Sequence, residues 1–111
     1  MPKFRLLFAT AVASVFGAAA LTAAVAAGAP GAGVAIDNFN FGPPTLTVAA
    51  GTTVKWTNND DIPHTVRAVD GSFRSKPMDT SDSYSFTFAK PGVYSYFCSI
   101  HPKMVGKVIV K

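Results

Sequence analysis

In the stretch YFCSIHPKMVGKV, residues 96–108, Cys98, His101 and Met104 stand three residues apart. Cys98 is the single cysteine of the chain and His101 is one of two histidines. The other, His64, follows the polar sequence NDDIP upstream. A thiolate, two imidazoles and a thioether form a mixed soft and borderline donor set. Two histidines and a cysteine in a trigonal arrangement, with a weak axial methionine, suit copper in both of its oxidation states. Zinc would accept the cysteine and the histidines but normally takes a stronger fourth donor than a thioether. Iron–sulfur clusters need more thiolates than this chain has, and c-type haem attachment needs a C-x-x-C-H run that is absent. Taken singly, each residue has a plainer reading: a free cysteine is commonly a small buried hydrophobe, a methionine fills gaps in a core, and a lone histidine sits in a loop or at a strand edge. Taken together the plain readings fail, because the only cysteine and both histidines fall into one constellation. The expectation is a metal site, with copper as the metal and His64, Cys98, His101 and Met104 as candidate ligands.

Such a site needs strands to hold it, and the sequence supplies them. Short β-rich runs recur every eight to twelve positions between turn residues, the pattern of a sandwich or barrel. They are 34–41, 45–50, 52–58, 64–70, 82–89, 93–98 and 106–111. Gly51 marks a turn, as does KPG at 90–92. In the 82–89 run, Tyr84, Phe86 and Phe88 alternate with Ser83, Ser85 and Thr87, so the aromatic residues share one face. Trp56, Tyr94, Tyr96 and Phe97 likewise read as core or sheet-face packing. Residues 71–81 read as loop or irregular edge, and no sustained helical period follows residue 26. The fold class is therefore all-β, a Greek-key-like sandwich of seven or eight strands. In that layout Cys98 ends the penultimate strand, His101 lies in the next loop and Met104 precedes the last strand. His64 opens another strand, and adjacent strands can bring the two ends to one pole.

The start of the 111-residue chain reads differently. Lys3 and Arg5 precede an uncharged alanine-rich stretch that ends in small residues, the form of a secretory signal peptide over residues 1–26 with cleavage after Ala26. An uncleaved membrane anchor is the alternative, since the apolar run approaches spanning length. No twin arginine is present, and no cysteine stands near the cut to take a lipid. Residues 27–111 form one small domain. Setting Lys3 and Arg5 aside leaves eight basic residues against six aspartates, a charge of about +2 with no basic cluster, which argues against nucleic acid as a partner. Small exported domains usually add disulfides or a metal to a limited core. One cysteine cannot form an internal disulfide, which again points to the metal.

The runs YSYFCSIHPKMVGKVIV and PTLTVAAGTTVKWTNNDDIPHTV resemble cupredoxins, the small blue copper proteins of the plastocyanin and amicyanin group. The resemblance spans about Ala35 to Lys111 and rests on V-x-W-x-N, P-H and C-x-x-H-x-x-M-x-G. The two-residue gap between His101 and Met104 is similar to that of amicyanin. The resemblance implies one type 1 copper per chain, with His64, Cys98 and His101 as strong ligands and Met104 as the weak axial one. It also implies that His101 is the solvent-edge histidine. Around it, Pro63 and Pro102, with Ile62 and Met78, would form an apolar rim where redox partner proteins dock. The implied function is a periplasmic one-electron carrier, not an enzyme, monomeric and free of the membrane once the leader is cut. A periplasmic copper chaperone or reservoir is the alternative, disfavoured because no extra methionine or histidine tracts are present. A thiol enzyme would need Cys98 partly exposed, and a copper oxidase or nitrite reductase would need further histidines. Two departures stand out. Thr65 occupies the position after the first histidine where many relatives have an asparagine that ties the two ligand loops, although its hydroxyl can still bond the backbone near Ser99. Ile100 and Lys103 replace a proline and an aromatic residue of amicyanin, and Lys103 sets a charge beside the rim that favours an acidic partner surface.

Overall fold

In the computed structural model the described residues are 31–111, and the expected leader lies outside them. Eight strands follow in order: β1 (Ala32–Asp37), β2 (Asn40–Gly42), β3 (Thr45–Val48), β4 (Thr52–Asn58), β5 (Arg67–Ala68), β6 (Ser83–Phe88), β7 (Gly92–Phe97) and β8 (Val105–Val110). They form two four-stranded sheets, β2-β1-β4-β6 and β3-β8-β7-β5. Both sheets are mixed. β1 runs parallel to β4 and β3 parallel to β8, while the remaining neighbours are antiparallel. Parallel neighbours require a crossover, and here the chain passes from one sheet to the other between β2 and β3. The expected all-β sandwich is thus present, and no helix among the described residues is long and apolar enough to cross a membrane.

The period-two pattern decides what each sheet buries. In β4, Thr52, Val54, Trp56 and Asn58 point inward while Thr53 and Lys55 face solvent. Trp56, fully buried, is the hub of the core: the rings of Tyr96, Phe73, Tyr84 and Phe88 lie 5.4–6.3 Å from it. Each large apolar side chain so buried contributes about 1.5–3 kcal/mol. Gly51 has φ 93°, as the expected turn between β3 and β4 requires.

Two strand expectations change. The 34–41 run divides into β1 and β2, because Asn38 and Phe39 adopt left-handed φ values of 50° and 59° and close a two-residue hairpin. The 64–70 run shrinks to the two residues of β5. Its first part is drawn off by other partners: His64 pairs with Met78 in an isolated bridge, and the N–H groups of Thr65 and Val66 go to side chains. Residues 71–81 remain irregular, as expected, apart from bridges at Arg74 and Met78.

Candidate metal centre

β7 delivers Cys98 to one pole of the sandwich, and the loop after it folds back on itself. The Cys98 N–H donates to the Met104 carbonyl at 3.1 Å, and the Met104 N–H to the His101 carbonyl at 2.9 Å. His64 arrives from the other sheet. Asn58, at the end of β4, sets the path by donating from Nδ2 to the Ile62 and Met78 carbonyls at 2.9 and 2.8 Å and accepting the Asp60 N–H at 2.9 Å. Two backbone bonds, 3.1 and 2.8 Å, then clamp His64 to Met78.

The outcome is a convergent trio. Cys98 Sγ lies 3.8 Å from Nδ1 of His64 and 3.8 Å from Nδ1 of His101, and all three donor atoms fall within 4.8 Å of one another. Cys98 and His64 are fully buried, and His101 is half-buried. Met104 is buried in the same loop, tied to both Cys98 and His101 through its backbone.

Burial alone would push the Cys98 thiol up. The Thr65 N–H donating to Sγ at 3.4 Å, together with the contacts from His64 and His101, outweighs it and brings the thiol down to about 6. Cys98 is thus poised as a thiolate, the form that binds metal. Thr65 also ties the two loops together. Its Oγ1 accepts the Ser99 N–H at 2.7 Å and shares a hydrogen bond with Ser99 Oγ at 2.8 Å, joining two ligand loops that are 34 residues apart. Thr65→Val keeps the shape and the N–H bond to sulfur but leaves the Ser99 N–H without its acceptor. The expected cost is about 1–3 kcal/mol, read as a lower Tm of the metal-free protein. Copper affinity should fall ~10–100-fold, as is usual when an outer-shell partner is lost. An unchanged melt and an unchanged copper titration would show that the tie is dispensable.

Sequence reasoning missed two neighbours of the trio. Asp60, read only as part of a polar loop, places Oδ2 2.8 Å from His64 Nε2 and accepts the N–H groups of Asn38 and Phe39 at 2.7 and 3.0 Å. The Phe39 N–H is the largest influence on its carboxyl; with His64 and Asn38, and against the effect of burial, it holds the group down at about 2. Phe39, read as a strand residue, instead sets its ring edge-on to both imidazoles, with centroids 5.4 Å from His64 and 5.0 Å from His101. The available signal was the carboxylates shortly before His64, but the sequence does not distinguish Asp60 from Asp61.

The expected rim needs one correction. Met78 is only 3% exposed and lies beneath His64, so it cannot face a partner. Pro63, Pro102 and Ile62 are exposed as expected. Ile100 and Phe39 join them, and a shallow concavity runs across Phe39, Ile100, His101, Pro102, Lys103 and Met104.

A sulfur and two imidazole nitrogens, converging at a buried thiolate, fit a single type 1 copper. Sequence comparison agrees with the chemistry. Residues 30–111 match the copper binding proteins of the plastocyanin/azurin family. Amicyanin-alpha of Methylorubrum extorquens is 36% identical over 117 residues, covering 93% of this chain and 98% of the relative. Amicyanin of Paracoccus versutus is 40% identical over 83 residues, covering 70% of this chain and 63% of that protein, a little under two thirds of its length. Among solved structures, a purple cupredoxin from Nitrosopumilus maritimus superposes with a TM-score of 0.68 at 37% identity, covering 72% of this chain and 99% of that one. The chain belongs to the plastocyanin/azurin family of copper-binding proteins.

Proposed function

We propose that this protein carries single electrons between redox partner proteins in the periplasm. His64, Cys98 and His101 would hold one type 1 copper, with Met104 as a further, weaker donor. The observation that carries this reading is the preformed trio of donors around a sulfur sealed from solvent, with His101 alone reaching the surface. When bound, copper supplies the Cu(II)/Cu(I) couple. The protein supplies the rest. Loops pinned by Asn58, Thr65 and the Cys98–Met104 backbone bond hold the donors in one geometry for both oxidation states, so little must move per electron. Full burial of Cys98 denies the thiol to substrates, which supports a carrier over a thiol enzyme. His101 is the edge through which the electron passes, and the apolar residues around it form the partner surface, with Lys103 favouring an acidic counterpart. Residues 1–26 direct export and are removed after Ala26.

The test is a Cu(II) titration of the purified protein followed by visible absorption, EPR and reduction by ascorbate. One equivalent of copper should give an intense blue thiolate-to-copper band with narrow hyperfine splitting, and ascorbate should bleach it reversibly. The copper should stay bound through repeated cycles. Weak colour with ordinary copper EPR sinks the type 1 assignment, and ready release of Cu(I) to a chelating acceptor favours the chaperone alternative.

A further inference from the structure

Among the described residues, Asp60 is the only carboxylate within hydrogen-bond distance of a member of the donor trio. It is held from every side. Its carboxylate accepts the Asn38 and Phe39 N–H groups, its own N–H donates to Asn58 Oδ1 at 2.9 Å, and its carbonyl accepts from Thr80 Oγ1 at 2.6 Å. A carboxylate fixed in this way can only accept a hydrogen bond. The His64 nitrogen 2.8 Å away must therefore carry a proton, which keeps Nδ1, 3.8 Å from Cys98 Sγ, as the ring atom available to a metal.

The same carboxylate explains an unusual turn. Asn38 and Phe39 are both left-handed, a conformation unfavourable for a bulky residue. Asp60 favours the turn by accepting both of their N–H groups. The turn then presents the Phe39 ring at interplanar angles of 88° and 90° to His64 and His101. One side chain thus acts on one imidazole directly and on both through Phe39. Its negative charge, one ring away from the metal position, favours Cu(II) over Cu(I).

We propose that Asp60 is the positioning residue of this copper centre: it fixes the tautomer of His64, holds Phe39 against both imidazoles, and lowers the Cu(II)/Cu(I) potential. This rests on the carrier reading above.

The test compares the parent protein with Asp60→Asn and Asp61→Asn by redox titration. Asparagine keeps an acceptor oxygen for His64 but removes the charge. A tenfold loss of Cu(II) affinity at constant Cu(I) affinity is expected, an upward shift in potential of about 59 mV. Asp61→Asn removes the same charge from an exposed neighbour and should leave the potential near that of the parent. Equal shifts in both variants, or none in Asp60→Asn, would overturn the assignment. Nitrogen NMR of the metal-free parent should show His64 protonated at Nε2 and slow to exchange. Protonation at Nδ1 instead would overturn the assignment without any variant, so the question is decided even if Asp60→Asn does not fold. A parent that forms no blue centre refutes the carrier reading itself, a result distinct from a blue parent whose potential ignores Asp60.

Discussion

Replacing Cys98 with serine is expected to abolish the blue band entirely while leaving the metal-free fold close to that of the parent. The colour of a type 1 site comes from thiolate-to-copper charge transfer, and a hydroxyl has neither the soft sulfur nor an accessible anionic form. Copper affinity should fall by far more than the ~10–100-fold typical of an outer-shell loss, because one of three strong ligands is gone. The fold has less to lose. Serine is nearly isosteric, its oxygen can accept the Thr65 N–H, and its O–H can turn toward the Nδ1 atoms of His64 or His101, which face Sγ in the parent. The measurements are visible absorption after copper addition and a thermal melt without metal. Retention of the band in Cys98→Ser would place the copper elsewhere. A collapsed melt would show that the thiol is chiefly a packing residue.

The largest effect on stability is expected at Gly106, which stands opposite Tyr96 in the β7–β8 register. A Cβ at this position would fall 2.5 Å from the phenol oxygen and 2.6 Å from Cε1 of Tyr96, and would collide with Cζ. The ring cannot swing aside. Tyr96 is 1% exposed, with Phe41 at 4.7 Å and Trp56 at 5.4 Å. Overpacking of this kind typically costs 1–3 kcal/mol, so about 3 kcal/mol is expected for Gly106→Ala. For a domain this small each kcal/mol moves Tm by roughly 4–8 °C, and the drop should exceed about 10 °C. Because Gly106 is two residues from Met104, the copper site should loosen with it. A melt within about 2 °C of the parent would mean that β8 yields more easily than the register implies.

How much of this was legible in the sequence follows from what each residue answers to. The β4 boundaries came through intact because Thr52, Val54, Trp56 and Asn58 alternate with outward residues, and burial follows that local pattern. The trio of His64, Cys98 and His101 was legible because its chemistry lies in residue type. β5 was overextended because the backbone of residues 64–66 is bonded to Met78, Cys98 and Ser75, partners that only the fold brings near. Phe39 was misread because Asn-Phe is a poor sequence signal for a turn with two left-handed residues; the acceptor that allows it, Asp60, lies 21 residues away. Met78 looked like a surface residue in an irregular segment, and is instead held under His64 through backbone bonds.

The strand order of the two sheets also dictates when the protein can be completed. Every strand of the β2-β1-β4-β6 sheet lies at or before Phe88, so that layer can close before the later strands join. The second layer cannot. β3 has β8 as its only hydrogen-bonded neighbour, so Thr45–Val48 waits unpaired until Val105–Val110 is available. Long-range pairing of this kind is slow, and a waiting strand edge is a point of aggregation. The donor trio waits as well: His64 stands before the second layer is complete, while Cys98 and His101 reach it only in the closing event that seats β8.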